Sequence, residues 1–156
     1  MKEIRNQLVK HIKGGEAFMP IDNLLKFISF EKLCERPENL PYSFYEIFYH
    51  IRFAQRDILD YIKNDNYKHK QWPQDYWPKN NSIESSEVWE SLKSKFFKEQ
   101  QELIEFLLEP KNDIFRPVNL QTKHIVLREI FLVIEHNSYH TGQLMIVLRS
   151  LGLYPA

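Results

Sequence analysis

The sequence predicts an all-α protein, a four-helix bundle with one long crossover connection. Three observations carry this reading. Four stretches repeat their apolar residues at the helical period, none alternates apolar and polar residues as a half-buried strand does, and glycine or proline stands between them. At 156 residues the chain has the size of one ordinary domain and is read as a single helical-bundle domain, 1–156.

The first helix is expected from Lys2 to Lys13, with Ile4, Leu8 and Ile12 on one face and Gly14-Gly15 as its stop. A brief outer helix follows Pro20, from Ile21 to about Ile28. The second long helix starts after Pro41, where Ser43 and Glu46 stand three apart as a capping box. Phe44, Ile47, Phe48, Ile51, Ile58 and Ile62 continue it as one apolar stripe to Lys63.

From Asn64 to Asn81 the period is lost, and Pro73 and Pro78 exclude a continuous helix. A connection of this length is expected to cross one end of the bundle, which argues against simple up-down-up-down order. The third helix runs from about Ser85 to Glu109 and is closed by Pro110, with Val88, Leu92, Phe96, Leu103, Phe106 and Leu107 at helical spacing. The fourth covers roughly Thr122 to Leu151 and stops at Gly152. Its runs Ile130–Ile134 and Leu144–Leu148 are apolar almost all round, which predicts a central position in the bundle.

Charge excludes some functions. Lys plus Arg equals Asp plus Glu, 21 against 21, and no basic run is longer than Lys68-His69-Lys70, so nucleic-acid binding is not expected. No apolar run reaches the roughly 18 residues of a membrane span. Met1-Lys2-Glu3-Ile4-Arg5 lacks the apolar core of a signal peptide, and Cys34 is the lone cysteine. A soluble, cytoplasmic protein is the expectation.

The residues with chemistry are histidines. His136 and His140 stand four apart on the most apolar helix, so their side chains lie one above the other on one face. Such a pair alone is more often a satisfied couple of core histidines, because it supplies only half a ligand set. His50 adds a third imidazole at the inward edge of another helix, in the row of Ile47, Ala54 and Tyr61. Three imidazoles from two helices are what a metal site in a bundle core requires. They would leave one or more positions open on a divalent ion, as in catalytic zinc sites, for water or a substrate's thiolate or oxygen. The donor set disfavours magnesium and calcium but admits zinc, nickel, iron and manganese.

Gln143 and Asn137 stand within a turn of the pair and are candidates to orient an imidazole or a bound water. Glu135 points about 100° away from His136 on an ideal helix and is read as a partner for Arg or Lys. His11, His69 and His124 are assigned to surface or packing roles. The stiff segment Trp72-Pro-Gln-Asp-Tyr-Trp-Pro78 is either an apolar lid sealing one end of the bundle or an aromatic wall over the metal pocket. The lid, which requires nothing further, is the expectation.

The stretch His136-Asn-Ser-Tyr-His140-Thr-Gly-Gln143-Leu resembles the H-x-x-x-H-x-G-Q helix of the DinB-like, or YfiT-like, metal-binding four-helix bundles. Pro41-Tyr-Ser-Phe-Tyr-Glu-Ile-Phe-Tyr-His50 is similar to that family's second-helix start, and the Trp72–Pro78 segment looks like one branch of it. The resemblance covers nearly the whole chain. It implies His50, His136 and His140 as metal ligands, an unusual helix order and a homodimer. It also implies a metal-dependent enzyme, a transferase using a low-molecular-weight thiol. A metal-dependent hydrolase and a non-catalytic, stress-related metal-binding protein are the alternatives. Related sequences of this branch carry histidines after the Gly-Gly step, where this chain has Glu16-Ala17-Phe18, so no role for them carries over.

Overall fold

The structure, a computed structural model, describes residues 1–64, 66–119 and 122–154. It is all-helical, and no strand occurs among the described residues. Helices α1 (Lys2–Lys13), α2 (Ile21–Leu24), α3 (Phe44–Lys63), α4 (Ser86–Leu108) and α5 (Val126–Ser150) follow in chain order, with a single 3-10 turn at Phe30–Lys32. The long helices α1, α4, α3 and α5 form a ring in that order, and the short α2 rests on α5. No helix among the described residues is long and apolar enough to cross a membrane.

Local signals set the helix ends. Gly14 ends α1 at φ +79°, and a Cβ there would come within 3.1 Å of the Pro20 backbone, so the turn excludes larger residues. At the start of α3 the Ser43 hydroxyl accepts from the Glu46 N–H, and the Glu46 carboxylate accepts from the Ser43 N–H at 2.8 Å. Glu109 precedes Pro110 and leaves the helical region, ending α4. α5 starts at Val126, four residues later than Thr122. Residues 124–126 are instead paired with 116–118, through Val118 N–H to the His124 carbonyl and Val126 N–H to the Arg116 carbonyl. α2 stops at Leu24 rather than Ile28, and turns follow it.

Side-chain pairs fix the directions. Phe48 meets Trp89, Arg52 pairs with Glu99, and Arg56 and Lys63 pair with Glu102, so α3 and α4 run parallel. Arg5 reaches the Leu107 and Glu109 carbonyls while Gln100 donates to the Ile12 carbonyl, so α1 and α4 are antiparallel. Parallel neighbours oblige the chain to return to the end from which α3 started, and α3 is about 30 Å long. The connection 64–85 therefore runs back along α3 and does not cross an end of the bundle as expected from its length.

Two apolar clusters fill the bundle. One joins the start of α3 (Phe44, Phe48, Ile51) to the end of α5 (Leu144, Leu148) and to Trp89 and Phe96 of α4. The other joins the end of α3 (Leu59, Ile62) to the start of α5 (Val126, Ile130) and to Leu8, Ile12 and Leu103. Between them lies a belt of buried polar side chains: His50, Gln55, Asp57, Glu99, Asn137, His140 and Thr141. α5 is less central than its composition suggests. In a ring each helix has two long neighbours, and Phe131, Tyr139 and Ile146 remain half exposed or more.

Candidate metal centre

The polar belt contains His50 and His140 of the three histidines singled out by their spacing, and the half-buried His136 stands beside them. His50 sits one turn beyond the capping box of α3, whose Glu46 also accepts a two-pronged contact from Arg36. α5 is held in register by Asn137 Nδ2, which donates to Gln55 Oε1 at 3.3 Å, and Gln55 Nε2 donates to the Phe96 carbonyl of α4. One chain of amides thus ties together the three helices around the site.

His50, His136 and His140 each offer a ring nitrogen, and these atoms lie within 4.8 Å of one another. It is the sole cluster of at least three such donors among the described residues. His50 Nδ1 is 3.1 Å from the Tyr76 carbonyl, and His140 Nδ1 is 2.6 Å from Gln143 Oε1. Both oxygens are acceptors, so both Nδ1 atoms carry the proton and both Nε2 atoms present a lone pair. Gln143 has the orienting role expected of it. Asn137 instead serves mainly the α3–α5 contact.

Burial holds all three imidazoles in the neutral form. His136 is pushed down to about 3 by burial and then by its two histidine neighbours, against a small opposing effect of Asn137. His140 is pushed down to about 4, again by burial first, with Gln143 opposing. His50 is lowered by burial, opposed by the Tyr76 carbonyl.

This arrangement suits a metal ion on its own chemistry. His136 Nε2 and His50 Nε2 face each other at 3.0 Å, and the buried His136 Nδ1 has no hydrogen-bond partner. If His136 carries its proton on Nε2, Nδ1 is left as a buried orphan acceptor, and if on Nδ1, two lone pairs oppose each other. A cation between the Nε2 atoms removes the second conflict, and three neutral imidazoles are borderline donors for a divalent transition metal. The three histidines could hold such an ion. His11, His69 and His124 are exposed and stand outside this cluster.

The histidines lie at the base of a cavity of about 620 Å³ walled by Trp72, Tyr76, Trp77, Ala54, Ile58, Leu132 and Tyr139. Trp77 stacks on His50 with ring centroids 4.2 Å apart and 3° between planes, and on Tyr42 at 4.3 Å. The expected end-sealing lid is therefore corrected. The segment is the aromatic wall of the pocket, because parallel α3 and α4 bring it back past His50. Asp57 fastens it: one carboxylate oxygen accepts from Tyr67 at 2.7 Å and the other from Tyr76 at 2.5 Å. Burial, and then this carboxylate, push both tyrosine hydroxyls well above their usual range.

Sequence reasoning passed over Asp57, which stands two turns from His50 on the same face of α3, a spacing that could have flagged it. Glu135 also departs from expectation. It lines the cavity, where no described Arg or Lys does, and forms no ion pair with any described Arg or Lys.

No curated protein and no solved structure matches the chain significantly. A family model described as the DinB family matches it over residues 1–156.

Proposed function

The chain belongs to the DinB family, and from that premise we propose that it is a divalent-metal-dependent enzyme working as one domain, 1–156. Its ligands are His50, His136 and His140, and its reaction is that of a transferase using a low-molecular-weight thiol. Family membership and the histidine cluster together fit a metal-binding DinB-like protein. The observation that carries the finer reading is the position of the cluster: three neutral imidazoles at the base of a cavity of about 620 Å³, with no fourth protein ligand beside them among the described residues. Zinc or nickel suits the donor set best, with iron or manganese accommodated.

Bound there, the ion would acidify a thiol placed in its open position and so supply the nucleophile. The chain's own residues do the rest. The Tyr76 carbonyl and Gln143 fix two imidazole tautomers, and Trp77 holds the plane of His50. The wall beside that position is mainly apolar. A single cysteine and balanced charge fit a cytoplasmic setting, and the family resemblance suggests a homodimer.

The test is metal content by plasma mass spectrometry on untagged protein, wild type against His140→Ala. About one ion per chain, lost in the variant, is the expected result. A wild type that stays empty after reconstitution sinks the metal reading. Cobalt-substituted protein then tests the chemistry, since a coordinated thiol gives a near-ultraviolet charge-transfer band. No such band with any small thiol would remove the transferase reading and leave the metal site standing.

A further inference from the structure

The wall of the cavity is not uniform. At the histidines it offers nitrogen lone pairs, the rings of Trp72, Tyr76 and Tyr139 stand 4.9–6.2 Å from the imidazoles, and two carboxylates add negative charge. Asp57 and Glu135 both line it, and no described lysine or arginine does. Asp57 is 8% exposed, and its charge is met only by the hydroxyls of Tyr67 and Tyr76. Each of its oxygens keeps a lone pair after accepting one hydrogen bond. Glu135 has no hydrogen bond or ion pair of its own among the described residues. A ligand filling the cavity would cover both carboxylates, and an anion taken out of water is costly without a positive partner. Trp72, Tyr76 and Tyr139 add ring faces, which attract cations, whereas the faces of Trp77 are taken by His50 and Tyr42.

We propose that the cavity takes a ligand with a protonated amine or quaternary ammonium at its far end, lodged between the aromatic rings and the carboxylates of Asp57 and Glu135. This rests on the reading of the cavity as a substrate site. Asp57 follows His50 by seven residues of α3, a rise of about 10 Å. The ligand class is thus a chain of roughly six carbons, with a donor atom for the metal at one end and a cation at the other.

The experiment uses zinc-loaded full-length protein and two matched series, followed by calorimetry and tryptophan fluorescence. One compares hexylammonium with hexan-1-ol. The other compares 6-aminohexanethiol with 6-mercaptohexan-1-ol and 6-mercaptohexanoate. The ammonium member of each series is expected to bind about tenfold more tightly than the alcohol, with the carboxylate weaker than either. Glu135→Gln and Asp57→Asn should each erode that preference. Glu135 is exposed, so its variant keeps the test open if loss of Asp57 disturbs folding.

If all thiols bind alike, the cation site is overturned and the thiol reading survives. If hexylammonium is preferred but a thiol adds nothing, the cation site stands and the thiol reading fails. If hexylammonium binds no better than hexanol, or its preference persists in both variants, the proposal is wrong.

Discussion

His140 is held at both ends of its ring, by the backbone of α5 and by the Gln143 amide 2.6 Å from Nδ1. Removing that amide should let the imidazole turn. Gln143→Leu is expected to lower zinc affinity by about 10–100-fold, measured by competition with a chromophoric chelator. Unchanged affinity would reduce Gln143 to a surface contact. The depressed histidines also make the metal-free protein acid-sensitive. Their ordinary value is 6.5 and their folded values are about 3 for His136 and about 4 for His140, so the unfolded chain binds more protons below 6.5. Stability is therefore complete above pH 6.5 and falls as pH drops towards 4, by an amount on the order of 2 kcal/mol per histidine at pH 5. Thermal melts of metal-free protein at pH 7, 6 and 5 should show this fall, and His136→Asn should flatten it. At this scale the histidines were legible in the sequence, because two lie four apart and the third sits on an inward edge. The charge on the cavity wall was legible only in part, since Asp57 shares a face of α3 with His50 but nothing in the local sequence of Glu135 places it on the cavity.

α3 owes its start to Ser43 and Glu46, and the second is the more heavily committed. Ser43→Ala should cost about 1 kcal/mol in urea unfolding. Glu46→Ala should cost more, since it removes the return bond of the cap and the partner of Arg36. Equal effects would show that the Arg36 contact contributes nothing. The connection 64–85 depends on a different carboxylate. Asp57→Ala releases both Tyr67 and Tyr76, so limited proteolysis should cut within 64–85 faster while far-ultraviolet circular dichroism stays unchanged. The capping box and the glycine stop were plain in the sequence because they are local chemistry. The start of α5 was not, because a tertiary pairing of 116–118 with 124–126 overrides the helical period there.

Two apolar clusters, one on either side of the polar belt, make the bundle complete without an ion. Metal should therefore add stability by mass action and not by building structure. At zinc 100-fold above its dissociation constant the gain is about 2.7 kcal/mol, raising the melting temperature by about 5–10 °C with no change in helix content. Scanning calorimetry with circular dichroism checks both, and helix formation on adding zinc would contradict it. Helix number and length followed from periodicity, but the parallel course of α3 and α4 did not. Direction is decided by pairs such as Arg52–Glu99 and Phe48–Trp89, which stand more than forty residues apart. That parallel course also separates two duties that many sites combine. The histidines belong to helices of the ring, whereas Trp72, Tyr76 and Trp77, which face an incoming molecule, belong to a strap whose length is dictated by the distance it must travel. Rewriting that strap at Trp72, away from the Tyr76 carbonyl and the Trp77 ring that hold His50, can change what the molecule admits while the nitrogen donors stay where they are, so selectivity is free to diverge under a constant reactive centre.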